Sequence, residues 1–421
     1  MSNITNPGTT DFAFPTGGGN SVLIPVQDDA LSLSAAASIS SGLQAELTAG
    51  TITPYTYDGS SPFNPPAGNT ELIVDTGTNL LLPTNVSDVL VNTGSFVTLS
   101  AAFGTTQQNV VSGVGGIDLQ ANNGTGTILA AGGDNQIAVS AGGNHEIVTG
   151  AGDDTIFVTH GNNTVSGGAG NNTIVLGDGN NNVISTGADQ INAARGLATG
   201  GTDTINAAMN TNSVNINGGR NNIEFINGSG VSSLNGQSGS DTVFGGSGGG
   251  SFSGGSAGNN LLIGGTGAVD LTGGGSGDVL ALTFGNASNL LTAGSGNETL
   301  FGGFASGANT FQAGSGTDLV IGGLGNDTLQ AGTGNASIAG SLGSNQFLFV
   351  DGQAGGVDTL LDFSLSSTNK VDLQGYGSGA ATAALAGKVV SGGNTTITLS
   401  DHTSITFLND TNLKASNFIV S

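Results

Sequence analysis

A nine-residue repeat between Gly143 and Ser185 constrains the fold of this chain more than any other feature. In each copy a glycine is followed two positions later by Asp, Asn or His, and four positions later by an apolar residue. The apolar members keep an unbroken spacing of nine: Ile147, Ile156, Val165, Ile174 and Val183. A short loop followed by a three-residue strand is half a turn of a flattened solenoid. The sequence therefore predicts an all-β fold, a parallel β-roll or β-solenoid with 18 residues per turn.

Each residue type in the unit has a physical role. Glycine lets the loop adopt positive φ, which a residue with a Cβ adopts only at a cost. The apolar residue points inward and its polar neighbours point outward, as the two-residue period of a strand requires. One unit cannot bury its apolar side chain alone, so the units must stack.

Composition narrows the possible functions. The chain has 77 glycines and a net charge of −24, which a compact body tolerates best when cations neutralise it. Nucleic acid is an unfavourable partner because the chain offers no basic surface for phosphate. The absence of cysteine excludes disulfides and thiolate metal sites. No apolar run is long enough to predict a membrane span.

Residues 1–69 are predicted to form an N-terminal cap and linker. The first twenty residues lack a basic start and an apolar core, so we expect no secretory signal peptide there. Residues 28–49 are predicted to be a helix, with acidic residues at its start, that covers the open end of the solenoid. The Pro-, Gly- and Asn-rich residues 51–69 predict a loop.

Three further regions follow along the chain. Residues 70–129 carry apolar clusters at a similar spacing but without the acidic positions, which predicts irregular solenoid turns held by packing alone. Residues 130–345 form the predicted roll, and residues 346–421 a C-terminal β cap.

Several segments of the sequence resemble those of a known protein family. The segments 149–156 and 322–329 resemble the Gly-Gly-x-Gly-x-Asp-x-apolar-x unit of the repeats-in-toxin (RTX) calcium-binding β-roll. The segments 356–363 and 369–373 resemble the cap that closes such rolls. The apolar and polar strands near the C-terminus, within 394–421, resemble the uncleaved signal of type I secretion.

The resemblance implies Ca²⁺ bound between loops on one edge, held by the loop Asp and by backbone carbonyls. Loops on one edge are 18 residues apart, and the paired positions that we can align never join two Asp residues. Each site therefore has at most one carboxylate from this position. At the all-amide pair Asn163/Asn181 the alternative is a metal-free Asn ladder. The expected metal ligands are Asp154, Asn172, Asp189, Asp203, Asn221, Asp241, Asn259, Asp278, Asp318, Asp327, Asn345 and Asp358.

No catalytic motif accompanies the repeats. The sequence has neither an HExxH zinc motif nor a GxSxG elbow, and its carboxylates belong to the repeat pattern. His145 and His160 lie in repeat loops, where we expect solvated side chains. We therefore expect no enzyme.

Apolar residues at the outward position after the buried one indicate association with another surface. They are Val148, Phe157, Val175, Ile184, Phe244, Phe301 and Ile321. The resulting hypothesis is a secreted, calcium-binding structural protein that forms a homo-oligomer or polymer in a surface layer, filament or matrix. Its other expected partners are the type I secretion machinery and cell-surface polysaccharide.

Two alternatives from other classes remain open at this stage. The first is an adhesion or ligand-binding module, which includes ice binding through a ladder of threonines. Alternate units face opposite sheets, so Thr164 is followed on its face by Asn182 and that ladder is broken. The second alternative is the accessory chain of a secreted hydrolase.

Overall fold

The computed structural model describes residues 8–101, 108–121, 124–140, 142–193 and 201–421. The chain divides into two compact units, an N-terminal unit from Met1 to Ile216 and a C-terminal unit from Asn217 to Ser421. Together they contain about 15 turns of a parallel β-solenoid, with about 19 residues per turn. The predicted fold class is therefore confirmed.

The N-terminal unit begins with a β-hairpin and a helix. Strands β1 (Thr9–Gly17) and β2 (Asn20–Gln27) pair antiparallel, and helix α1 spans Ala30–Ala49. The helix begins two residues after the predicted start at residue 28, because the Asp29 carboxylate caps it by accepting hydrogen bonds from the backbone N–H groups of Leu31 and Ser32. The hairpin was not predicted from the sequence.

Two parallel sheets form the solenoid of the N-terminal unit, and successive strands alternate between them. Sheet A1 contains β3 (Thr53–Tyr57), β4 (Thr70–Val74), β6 (Val86–Val91), β8 (Asn109–Ser112), β10 (Gly126–Gly132), β12 (His145–Ala151), β14 (Thr164–Ser166), β16 (Asn182–Ile184) and β18 (Thr202–Asn206). Sheet B1 contains β5 (Asn79–Leu82), β7 (Val97–Ala101), β9 (Ile117–Ala121), β11 (Gln136–Val139), β13 (Thr155–Val158), β15 (Thr173–Leu176) and β17 (Gln190–Asn192). The residues at 53–57, predicted as a loop, are thus a strand that pairs with β4.

The nine-residue spacing places one buried side chain at the same level of each strand. Ile147 stands beside Val165 and then Val183 in sheet A1, whereas Ile156 stands beside Ile174 in sheet B1. All five are buried. A column of identical contacts on each inner face is what stacking the units was expected to provide.

The hairpin and helix lie on the outer face of sheet A1. Apolar residues of α1, β1 and β2 pack against the outward residues of five successive strands: Ile73, Leu90, Val111, Leu129 and Val148. The helix therefore covers a face of the sheet, whereas we expected it to cover the open end. Val148, predicted to be an exposed contact, is only 1% exposed for this reason. We call β1, β2 and α1 the N-terminal layer.

The C-terminal unit repeats the two-sheet arrangement, and β19 (Asn215–Asn217) lies at its boundary. Sheet A2 contains β20 (Asn222–Ile226), β22 (Thr242–Phe244), β24 (Leu261–Ile263), β26 (Val279–Ala281), β29 (Thr299–Phe301), β32 (Thr317–Ile321), β34 (Asn335–Ala339) and β36 (Val357–Leu360). Sheet B2 contains β21 (Ser232–Asn235), β23 (Gly250–Ser253), β25 (Val269–Thr272), β28 (Leu290–Thr292), β31 (Thr310–Gln312), β33 (Thr328–Gln330), β35 (Gln346–Val350) and β37 (Lys370–Gln374).

The turns are slightly longer on average than the predicted 18 residues. Val320 and Ile338 are 18 apart, but Leu280 and Leu300 are 20 apart and Ile338 and Leu360 are 22 apart. The extra residues are accommodated in the loops between strands. The insertions in two successive turns pair with each other as the two-residue strands β27 (Phe284–Gly285) and β30 (Phe304–Ala305).

The C-terminal residues close both sheets of this unit. Strand β40 (Ser404–Phe407) pairs parallel with β36 and antiparallel with β39 (Asn394–Thr398), which pairs in turn with β38 (Val389–Ser391). Strand β41 (Phe418–Val420) pairs with β37. A short helix α2 (Ala380–Ala386) and 3-10 turns at Phe363–Leu365 and Ala415–Asn417 complete this region. The antiparallel hairpin ends the parallel pairing of sheet A2 and leaves no long open edge there.

Candidate metal sites at the glycine loops

The Asp or Asn position of each repeat forms a buried slot at the inner side of a loop. We use "slot" for this position, two residues before the buried apolar one. Eleven of the twelve predicted ligands are buried there, and only Asn259 is not. The repeat spacing thus predicted which residues enter the loops, and their role as metal ligands stays a prediction.

Slot side chains form a hydrogen-bonded ladder from turn to turn. In the N-terminal unit the backbone N–H of Asp154 donates to Asn172 Oδ1 at 3.0 Å, and Asn172 Nδ2 donates to Asp189 Oδ1 at 2.7 Å. The all-amide pair behaves in the same way, since both the backbone N–H and Nδ2 of Asn163 donate to Asn181 Oδ1. In a ladder that alternates Asp with Asn, the Nδ2 group of each Asn thus donates to the side-chain oxygen of the neighbouring slot.

Asn259 is a register error in our prediction. The turn after Asp241 contains one extra residue, because Val243 pairs with Leu262, 19 positions later. The slot therefore falls on Asn260, whose Oδ1 accepts from the Asp241 N–H at 2.7 Å. Asn259 is exposed and has a φ of +54°.

Three slot carboxylates in the C-terminal unit are satisfied on both oxygens by the protein itself. In each, Oδ1 accepts from the preceding slot residue on the same edge, and Oδ2 accepts from the backbone N–H four residues earlier at 2.7 Å. The donors of that second bond are glycines. The pairs are Asp278 with Gly274, Asp318 with Gly314 and Asp327 with Gly323.

Where the slot residue is Asn, the same peptide bond presents its other side. Asn260 Nδ2 donates to the carbonyl of Gly255 at 2.8 Å, and Asn345 Nδ2 donates to the carbonyl of Gly340 at 2.9 Å. Both carbonyls lie five residues before the slot, and each belongs to the same peptide bond as the N–H four residues before it. The loop peptide therefore offers C=O to an amide slot and N–H to a carboxylate slot.

Asp241 and Asp358 depart from this rule. The N–H four residues before Asp241 is that of Gln237, and it donates to Asn235 Oδ1 instead. The N–H four residues before Asp358 is that of Ala354, and it donates to the Val350 carbonyl. Among the described residues, Oδ2 of both aspartates has no hydrogen-bond donor. Burial raises the pKa of Asp241 to about 6 and that of Asp358 to about 7.

Asp154 and Glu298 share this property. Each has one buried carboxylate oxygen without a hydrogen-bond partner in the described part of the chain. Burial raises the pKa of Asp154 to about 6 and that of Glu298 to about 7, the latter with a further contribution from the adjacent Asp318. We call Asp154, Asp241, Glu298 and Asp358 the unsatisfied carboxylates.

Our sequence analysis missed Glu298. It occupies the slot of a regular copy, Gly296 to Leu300, and its backbone N–H donates to Asp318 Oδ1 at 2.9 Å. The metal ligands expected at this position were Asp and Asn only. The glycine two residues before and the leucine two residues after would have identified it.

The remaining predicted ligands also occupy slots. Asp189 Oδ2 accepts from the Ser185 hydroxyl at 2.5 Å, so a side chain replaces the loop N–H there. Asp203 Oδ1 accepts from the backbone N–H and Nδ2 of Asn181. Asn221 is buried as well.

The two repeat histidines differ from each other. His160 is exposed, as expected, and its Nε2 lies 3.7 Å from Asp178 Oδ2. His145, which we expected to be solvated, is buried in a slot, and its backbone N–H donates to Asn163 Oδ1. Burial lowers its pKa, so the ring is neutral near pH 7.

Close stacking of the loops explains the glycines. A Cβ on Gly170, where φ is +125°, would lie 2.0 Å from the Gly152 carbonyl oxygen of the preceding turn. A Cβ on Gly236 would lie 1.8 Å from Asp241 Oδ2. The slot is therefore a small cradle that only a glycine-lined loop leaves open.

Comparison with protein-family models identifies these repeats. The RTX calcium-binding nonapeptide repeat (4 copies) matches residues 148–183, 228–251, 254–288, 285–305 and 305–338. These segments cover about a third of the chain and include three of the four unsatisfied carboxylates. The matched segments lie in a parallel β-solenoid, so the chain carries RTX-type repeats in the fold that the resemblance implied. No curated protein matched the chain in a sequence search.

The slot chemistry fits Ca²⁺. At Asn260 and Asn345 the slot side chain faces a loop carbonyl. A carboxylate in such a slot would face another hydrogen-bond acceptor, so its charge needs a cation or a proton to neutralise it. Within the described ranges no three His, Asp or Glu side chains converge as a metal site. Calcium would therefore be held by one of the unsatisfied carboxylates together with backbone oxygens. No helix in the described residues is long and apolar enough to span a membrane.

Proposed function

We propose that this protein is an exported structural protein whose roll is completed by calcium outside the cell and which assembles with further copies of itself in a surface layer, filament or matrix. The proposal assigns it no catalytic role. The observation that carries the calcium part is the set of buried unsatisfied carboxylates, each with one oxygen that the described protein leaves without a donor.

Calcium supplies a positive charge at these oxygens. Neither the Asn slots nor the slot carboxylates that accept backbone N–H groups on both oxygens need that charge. Each site has few carboxylates, and affinity falls with ligand charge. We therefore expect dissociation constants of ~10⁻⁴–10⁻³ M, as in extracellular calcium modules. Such sites fill outside a cell and stay empty in a cytoplasm where calcium is scarce.

Export through a type I system is the second part of the proposal. Its support is the resemblance of the C-terminal strands to that signal. Deleting Lys388–Ser421 should retain the protein inside a host that carries the machinery, although the deletion also removes β40 and β41 from their sheets. Normal export of this truncated chain would contradict this part.

Calcium titration tests the function as a whole. Isothermal titration calorimetry of the purified chain should give saturable binding with ~10⁻⁴–10⁻³ M affinity. Magnesium is the matched control, because it demands a tighter octahedral shell and should bind much more weakly. Absence of saturable calcium binding would refute the proposal.

A further inference from the structure

Sheet A2 has an apolar outer face in five successive strands. One residue in each of β22, β24, β26, β29 and β32 is buried at the same level of the sheet, so the residues on either side of it point outward; these buried residues are Val243, Leu262, Leu280, Leu300 and Val320. Eight of these ten outward residues are apolar, and the other two are threonines. The apolar ones are Phe244, Leu261, Ile263, Val279, Ala281, Phe301, Leu319 and Ile321.

Several of these side chains remain in contact with solvent. Phe244 is 39% exposed and Phe301 is 42% exposed, and Val279 and Leu319 each reach 36%. Three residues beyond the ends of β26 and β29, Phe284 and Phe304 are also exposed and stack with ring centroids 5.6 Å apart. Contiguous exposed apolar side chains of this kind mark an interaction surface, whereas scattered ones do not.

The N-terminal unit shows what happens to such a face elsewhere in this chain. The outward apolar residues of sheet A1 lie on five successive strands, β4 to β12, and the N-terminal layer buries them. Beyond those strands the outward residues of sheet A1 are mostly polar, with Thr164 and Ser166 in β14 and Asn182 in β16, although Ile184 of β16 is apolar. Apolar outward rows thus coincide with a covering layer.

Charge indicates what covers sheet A2. The chain has a net charge of −24, yet the ten outward residues include no charged side chain. The nearby carboxylates Asp241, Asp278, Glu298 and Asp318 all point inward, into slots. Two copies of so acidic a chain can approach closely only through a surface that carries no charge.

We propose that two copies of this protein pair through the outer face of sheet A2, with Phe244, Phe301 and Leu319 in the contact. The same face on both partners makes a self-complementary contact that closes as a dimer. This inference rests on the self-association part of the proposed function and specifies its surface. The face is small, so we expect a weak dimer with a dissociation constant of ~10–100 μM.

The test compares two double variants in sedimentation velocity, with calcium present and protein at up to ~500 μM, well above the expected dissociation constant. Phe301→Thr with Leu319→Thr should weaken the dimer at least ~10-fold, because both partners lose apolar area that the contact would bury. Thr242 and Thr299 already occupy the outward row of Leu319, and threonine favours strands, so the strands should be retained. Circular dichroism and thermal unfolding verify that the fold is intact.

Phe157→Ser with Val175→Ser is the matched control on sheet B1. Both residues are among the outward apolar positions of the sequence analysis, but Val175 is only 8% exposed. This control should dimerise like the parent. A parent that stays monomeric at ~500 μM, or an A2 variant that dimerises like the parent, would overturn the inference. Calcium binding, measured separately by calorimetry, tells this failure apart from failure of the proposed function.

Discussion

Two loops of the C-terminal unit, 236–241 and 322–327, end in an aspartate with the same position and burial but different requirements. Asp327 accepts the Gly323 N–H on Oδ2, so backbone dipoles offset its charge. The N–H four residues before Asp241 belongs to Gln237, whose φ is +56°, and it donates to Asn235 Oδ1 instead. The orientation of one peptide bond therefore decides whether a repeat carboxylate is satisfied by the protein or needs a cation.

The largest effect should come from pH and calcium acting on the unsatisfied carboxylates together. Their folded pKa values of about 6 to 7 lie above the unfolded values near ~4. Without calcium, the stability they contribute is complete below pH ~4 and is lost as pH rises to about 7, at about 2–4 kcal/mol for each of the three aspartates. Denaturant unfolding at pH 5 and pH 7.5, in chelator and in calcium, measures this.

Calcium should flatten that dependence, since it replaces the proton at each carboxylate. Binding at pH 6 should also release protons, which calorimetry in two buffers of different ionisation enthalpy detects. If calcium-free stability is the same at pH 5 and pH 7.5, the distinction between the two kinds of slot is wrong.

Glu71 sharpens the comparison because it is a buried carboxylate outside the glycine loops. It lies two residues before Ile73 in β4, on the face that the N-terminal layer covers, and neither of its carboxylate oxygens has a hydrogen bond among the described residues. Burial, with Asp88 and Glu46 nearby, raises its pKa to about 8. A proton, rather than calcium, should neutralise it.

The N-terminal layer should therefore loosen as pH rises from ~5 to ~9, at a cost of about 3 kcal/mol, whether or not calcium is present. Hydrogen exchange of α1 reports the loosening. Glu71→Gln removes the ionisable group and should abolish the pH dependence of that exchange. The isosteric change Glu46→Gln, at the exposed end of the helix, is the control and should leave most of it.

Replacing the aspartate by asparagine in each of the two loops should change the free energy of unfolding by smaller amounts and with opposite signs. Asp241→Asn keeps Oδ1 as the acceptor for the Ile223 N–H, and its new amide can donate to a loop carbonyl as Asn260 and Asn345 do. In chelator at pH 7.5 it should raise the free energy of unfolding by about 2 kcal/mol, since a buried charge is removed.

Asp327→Asn should instead lower the free energy of unfolding by about 1–3 kcal/mol with or without calcium, because the Gly323 N–H loses its acceptor. Chemical denaturation of the two variants beside the parent decides. Equal effects of the same sign would mean that the loop peptide does not distinguish the two carboxylates.

The repeat pattern predicted the inner structure well and the outer structure poorly. The spacing of apolar residues identified the buried column, including Ile147 and Ile174, because each nine-residue unit has only one inward position. It did not reveal that α1 lies on a face of the solenoid, since the residues it covers, such as Leu129, look like any outward apolar residue. The hairpin before α1 was missed because its alternation is short and interrupted by glycines.

At the candidate metal sites, the sequence predicted most of the residues that occupy the slots, but it did not show which slot carboxylates lack a hydrogen-bond donor. One inserted residue moved a slot from Asn259 to Asn260, and a Glu at position 298 escaped a search for Asp and Asn. Whether Asp241 is satisfied depends on the backbone conformation of Gln237, which the residue types do not determine. Local spacing thus fixes which residue enters a slot, whereas the peptide orientation beside it depends on stacking with the neighbouring turns.

The most direct test is a crystal structure of the whole chain grown in calcium, with anomalous scattering used to locate the ions. We expect peaks ~2.3–2.6 Å from the unpaired oxygens of Asp154, Asp241, Glu298 and Asp358. We expect none at the Oδ2 atoms of Asp278 and Asp327, which accept backbone N–H groups. Ions at Asp278 and Asp327, with none at Asp241 and Asp358, would contradict the account.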